Sequence, residues 1–294
     1  MNTTKANRLE PVPHVAGPRF SARLRTTISV ALAAAVVSQV LHEGTHVLVA
    51  LAVGDVARVQ LFAVDTIADG RAAQLLVAGS AAIVNIVAAA IAFSLARRMT
   101  SPIPRLGVLI FAGFSAATGF GYLMFDAVFA SPTNQVGDWK VVVQLLGGGA
   151  AVRVPLFLIG GAGWVGTMFL LARASWWFVS TVPDADGAVR PDRAERMRTA
   201  AVVLLAPYLT TCVFLTVLVV PSHPLGASGV VASLPHYWLG YSLFIWAFGL
   251  GGPWLRVNAV GAPVTPLRSR SRSALAMGAT AIAVALALTP VWTL

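Results

Sequence analysis

Seven apolar runs divide this chain, near residues 26–53, 73–96, 106–130, 154–178, 199–221, 234–250 and 273–294. Each is about the 20 residues that an α-helix needs to cross the hydrocarbon core of a bilayer, a solvent in which a segment must satisfy its own backbone. The fold class that follows is an all-α polytopic membrane protein with about seven transmembrane helices. Composition agrees: 57% of the residues are hydrophobic and 11% charged, against about a quarter charged in a soluble domain, and the mean hydropathy is +0.78. Residues 141–151 are apolar but too short to span, and read as a half-buried or interfacial extension.

A formal net charge of +10 can signal nucleic acid, but here the basic residues sort by side of the membrane. With the amino terminus in the cytoplasm, 17 of the 21 Lys and Arg fall on the cytoplasmic side, leaving Arg58, Arg71, Lys140 and Arg153 outside. That asymmetry predicts seven spans with the carboxyl terminus out, a lipid bilayer as the surrounding partner, and no nucleic acid. Residues 1–25 form a polar, basic cytoplasmic tail. The run that follows is longer than the apolar part of a signal peptide and is expected to be retained. Cys212 is the single cysteine, so no intrachain disulfide forms. Between the first two spans, Ala57, Val59 and Leu61 alternate with Arg58 and Gln60, and Asp69-Gly70 supplies a turn signal. A short β-hairpin at the membrane surface fits this pattern, as does a plain polar loop.

Within the first run stands Leu41-His42-Glu43-Gly44-Thr45-His46. Residues four apart share one face of a helix, so His42 and His46 can offer two imidazoles to one Zn²⁺, with Glu43 beside them to act on water. Ionisable groups at membrane depth are costly and need a partner or a task. A catalytic zinc site usually takes three protein ligands. Charge topology puts Glu10, Asp184, Asp186, Asp192 and Glu195 on the wrong side, whereas Asp126 and Asp138 lie near the outer end of the third span, at the depth of the motif. Asp138 follows the helix-breaking Ser131-Pro132-Thr133-Asn134 and is flanked by Gly137 and Trp139, where the chain can bend to aim a carboxylate inward. Asp126, on the helix itself, is the alternative metal ligand. His223 and His236 are further outer-side candidates.

An H-E-x-x-H in an early transmembrane helix, a hairpin-like segment, a small-residue second helix with Asn85, and a distal Asp together resemble the site-2 protease family of intramembrane zinc metalloproteases, over roughly residues 30–145. The resemblance implies that His42, His46 and Asp138 bind one Zn²⁺ and that Glu43 activates water. The chain departs from the family pattern in three places. The distal signature, usually Asn-x-x-Pro followed by Leu-Asp-Gly, is here Ser131-Pro132-Thr133-Asn134-Gln135-Val136-Gly137-Asp138. The second-helix Gly-Pro with a close Asn is here Gly79-Ser80 with Asn85 farther on, and no PDZ domain fits the length. The resemblance is thus to a divergent bacterial branch, an integral multi-pass protein of the bacterial cell membrane. It divides the chain into the tail 1–25, a metalloprotease-like membrane core 26–153 (three spans plus the distal Asp segment), and additional transmembrane helices 154–294.

The expected activity is hydrolysis of a peptide bond in or near a transmembrane segment of a membrane-protein substrate. Asn85 would hydrogen-bond the substrate backbone or oxyanion, or else serve as a polar contact between helices. A helical substrate must unwind before attack, and an edge strand near 56–61 could receive it by strand addition. The rival expectation is a non-proteolytic transporter, or a scaffold binding a metal ion or protons, since intramembrane acids and histidines also mark ion pathways. Paired halves with broken helices would favour a transporter, and the sequence contains no such repeat.

Overall fold

The structure, a computed structural model, describes residues 20–54, 57–60, 63–66, 68–130, 137–179, 193–222, 234, 237–251, 271–290 and 292–293. Residues 1–19 of the expected tail, the helix-break residues 131–136, the polar linkers at 183–192 and 252–270, and both His223 and His236 lie outside the described residues.

Among the described residues, five helical segments are long and apolar enough to cross a membrane. They are α1 (Phe20–Ala52), α2 (Arg71–Arg98), α3 (Pro102–Phe129), α5 (Ala150–Ser175) with the tight turn Trp176–Phe178, and the stretch from α6 (Arg193–Ala200) through a wide turn at Ala201–Leu205 into α7 (Ala206–Ser222). A short helix, α4 (Asp138–Leu145), lies between α3 and α5. Two shorter apolar helical stretches complete the set: Tyr237–Leu250, which carries most of α8 (Leu243–Gly251), and α9 (Arg272–Ala287). Helix α1 starts inside the expected tail, so Phe20–Arg25 are helical. Helix α9 stops short of the expected 294, at Ala287, just ahead of Pro290, which cannot continue a helix.

The packing is that of a bundle built for lipid. Along α2, Leu76, Ile83, Val87, Ile91 and Leu95 are exposed in one stripe. The buried face carries Gly79, Ala81, Ala82, Asn85, Ala89, Ala92 and Ala96. Large apolar side chains gain nothing by leaving hydrocarbon, whereas small ones let backbones approach. Gly119 lets α3 pack close against α2, because a Cβ there would stand 2.7 Å from the Ala82 carbonyl oxygen. Polar contacts tie α3 to other helices: the Ser115 hydroxyl meets that of Ser38 in α1 at 3.2 Å, and Thr118 meets Tyr241 of the Tyr237–Leu250 stretch at 3.3 Å. On the other side, Phe114, Phe178, Phe244, Leu106, Leu171 and Leu204 fill a core between α3, α5, α7 and α8.

After α1, strands β1 (Ala57–Gln60) and β2 (Ala63–Thr66) pair antiparallel, with Val59 opposite Val64. A third strand, β3 (Trp292–Thr293), pairs antiparallel with the other side of β1 at Arg58 and Val59, giving the order β2-β1-β3. Strand β1 is therefore the central strand, which corrects the expectation of a free edge at 56–61: the chain's own residues occupy both sides of it. Residues 141–151 do not span, and their first part is half-buried, with Val142 and Val143 inside. Val141–Leu145 close α4, Gly147 and Gly148 turn the chain with φ of 93° and 65°, and α5 begins at Ala150.

Candidate metal centre

Past the middle of α1, the face shared by residues 42 and 46 turns into the bundle, and His42, Glu43 and His46 are all buried. The two imidazole rings stand edge to face, centroids 5.0 Å apart. Opposite them, Asp138 opens α4 as its first residue. Its Oδ2 lies 2.9 Å from His42 Nε2 and 3.0 Å from His46 Nε2. All three potential ligand atoms lie within 4.8 Å of one another. A tetrahedral ion with ligand bonds of about 2.0–2.2 Å holds its ligands roughly 3.3 Å apart. Nitrogen and oxygen at 2.9 and 3.0 Å need only separate by a few tenths of an ångström, so the donor set fits such an ion in chemistry and in scale. Burial alone would push the Asp138 carboxyl up, but the His46 and His42 imidazoles hold it far below the usual carboxylate range.

A layer of neighbours fixes these side chains. His46 Nδ1 donates to the Val77 carbonyl oxygen of α2 at 2.8 Å, which fixes the ring so that Nε2 is the nitrogen that faces Asp138. His42 stacks on the Tyr122 ring of α3, with centroids 5.1 Å apart and planes 7° from parallel; its Nδ1 is buried without a hydrogen-bond partner among the described residues. Glu43 sits within electrostatic reach of His42, His46 and Asp138, where a carboxylate can exchange a proton with a water held between them.

The structure separates the two distal acids that sequence reasoning left open. Asp138 joins the histidines. Asp126 is not a member of the group. Fully buried near the end of α3, it accepts the backbone N–H of Trp139 at 3.0 Å, and Lys140 lies within electrostatic reach of it. Burial pushes the Lys140 pKa down, while Asp126 acts in the opposite direction. Asn85 is fully buried, and neither of its amide atoms has a hydrogen-bond partner among the described residues. It lies two turns along α2 from Val77, about 12 Å at 1.5 Å per residue, and no hydrogen bond links it to the histidines.

Tyr122 and the Val77 carbonyl were not among the sequence candidates. A pocket beside the group also went unforeseen. It is small, and is lined by Gln39, Thr118, Tyr122, Tyr237 and Tyr241 among others. Tyr122 both lines the pocket and stacks on His42, so the two adjoin. Polar pairs four residues apart, Gln39 with Glu43, Thr118 with Tyr122 and Tyr237 with Tyr241, were the available signal, each placing two polar groups on one helix face. Comparison with protein-family models, with curated proteins and with solved structures gave no match to this chain.

Proposed function

We propose that this chain is an intramembrane zinc metalloprotease, with chemistry like that of the site-2 protease family, that hydrolyses a peptide bond in or near a transmembrane segment of another membrane protein. One observation carries the reading. Two imidazole Nε2 atoms on α1 and a carboxylate 92 residues beyond His46 converge on one point inside an apolar bundle, with Glu43 beside them. Chance placement of that many ionisable groups at depth would be costly. His42, His46 and Asp138 are the residues that would hold the ion. Zinc there would polarise the scissile carbonyl and lower the pKa of water bound to it. Glu43 takes the proton from the attacking water and delivers it to the leaving amine. Asn85, whose amide atoms have no hydrogen-bond partner among the described residues, has the hydrogen-bonding capacity to hold a substrate backbone group. An unwound substrate segment would pair along the outer side of β2 or displace β3, since both sides of β1 are taken.

The two shorter apolar stretches, Tyr237–Leu250 and Arg272–Ala287, complete a seven-span reading with the amino terminus in the cytoplasm of a bacterial cell. The skew of Lys and Arg between alternate connections supports that orientation.

Glu43→Gln tests the function. The amide cannot accept a proton, whereas both imidazoles and Asp138 remain. We expect wild-type zinc content with cleavage of a transmembrane substrate reduced by about 10²-fold or more, and loss of metal in His42→Ala and His46→Ala. Near-normal cleavage by Glu43→Gln would refute the general-base role. Metal binding by a wild-type protein that cleaves no transmembrane substrate would favour the scaffold reading instead.

A further inference from the structure

We propose that Asp126 is the positioning residue for Asp138: its buried carboxylate caps the first turn of α4 and thereby sets where the ligand carboxylate stands. This rests on the metal-site reading above and assigns a task to an acid that the metal group does not use.

A helix leaves its first backbone N–H groups without intrahelical partners, and a side chain just before the helix usually accepts one of them. Helix α4 has no such side chain of its own, because the residue before it is Gly137 and no side-chain cap is made there. The acceptor comes instead from α3, where Asp126 Oδ2 takes the Trp139 N–H at 3.0 Å. Gly137 is required by this arrangement twice over. Its φ of 128° disfavours a side chain, and a Cβ would stand 2.7 Å from Asp126 Oδ1.

Lys140, itself buried, lies two residues after Asp138 in the same turn of α4, within electrostatic reach of Asp126. The far end of α3 is held as firmly. The Arg153 guanidinium, from α5, donates to the carbonyl oxygens of Ala127 and Ala130 at 2.8 Å and to that of Gly148 at 2.6 Å. Asp126 therefore sits on a fixed helix end, and α4 takes its position from it.

The test uses the full-length protein in detergent. Zinc affinity is measured by competition with a chromophoric chelator, and ligand geometry by the visible spectrum of the Co²⁺-loaded protein, because Zn²⁺ is spectroscopically silent. Groups that orient metal ligands typically change affinity by about 10–100-fold when removed. Asp126→Ala is expected to weaken zinc by that range and to alter the Co²⁺ bands. Asp126→Asn, which keeps an oxygen for the Trp139 N–H, should recover part of the loss. Gly137→Ala retains every ligand and Asp126 itself, yet should shift the Co²⁺ bands in the same direction. Wild-type affinity and spectrum in Asp126→Ala and Gly137→Ala, with only a lower melting temperature, would overturn the proposal and leave Asp126 a packing residue. If Asp126→Ala does not fold, Asp126→Asn and Gly137→Ala decide by the same readouts. Loss of zinc in Asp126→Ala beside full zinc in Asp138→Ala would also overturn it, by making Asp126 the ligand. A wild-type protein that binds neither Zn²⁺ nor Co²⁺ would refute the metal site itself, an outcome distinct from a bound metal indifferent to Asp126.

Discussion

Replacing Asp138 by alanine removes the one group on which both imidazoles converge, at 2.9 and 3.0 Å. Zinc bound by four protein ligands is worth about 10–16 kcal/mol at neutral pH. An even share gives about 2.5–4 kcal/mol per ligand, which at about 1.4 kcal/mol per factor of ten predicts a loss of about 10²–10³ in affinity. The two histidines keep their places, because His46 is held by Val77 and His42 by its stack on Tyr122. The loss should therefore appear in the metal and hardly in the fold. Chelator competition at fixed neutral pH, with melting measured on the metal-free protein, separates the two effects. Asp138→Asn, which retains an oxygen but not the charge, should fall between wild type and Asp138→Ala. An affinity for Asp138→Ala within about threefold of wild type, against that 10²–10³, would refute the reasoning: the carboxylate would then be an ion-pair partner of two histidines rather than a ligand.

Two further outcomes follow from the geometry. A buried amide without partners costs about 1–3 kcal/mol, and Ala is the better helix former, so Asn85→Ala should leave the melting temperature unchanged or raised while lowering cleavage at constant zinc; a less stable protein with full activity would make Asn85 a contact between helices. A cysteine placed at Thr66 in β2 should react with an impermeant maleimide on intact cells, and reaction only after lysis would reverse the orientation of the whole chain.

The helices were legible because length and composition alone decide them in a bilayer: the run at 73–96 falls inside α2, and that at 106–130 overruns the end of α3 by one residue. The histidine pair was equally legible, since a spacing of four fixes two residues on one face without tertiary information. The third ligand was only half legible. Asp126 and Asp138 lie at similar depth, and the sequence does not say which way each carboxylate points. What separates them is that α4 begins at residue 138, so that Asp138 projects from the start of a new helix while Asp126 is spent on that helix's backbone. The middle position of β1 was not legible at all. Its second partner, Trp292–Thr293, stands more than 230 residues away in sequence, and a two-residue strand leaves no periodicity to read.

Within the core, the ionisable groups of this site are interlocked. Asp138 faces two imidazoles, Asp126 accepts an α4 amide, and Arg153 holds carbonyl oxygens at the end of α3 and in the turn after α4. In a low-dielectric interior an unpaired ion is far more costly than a paired one. Helix α4 carries Asp138 as its first residue and, as its second, the amide that Asp126 accepts, so the seating of this eight-residue helix on α3 and the position of the ligand carboxylate are linked.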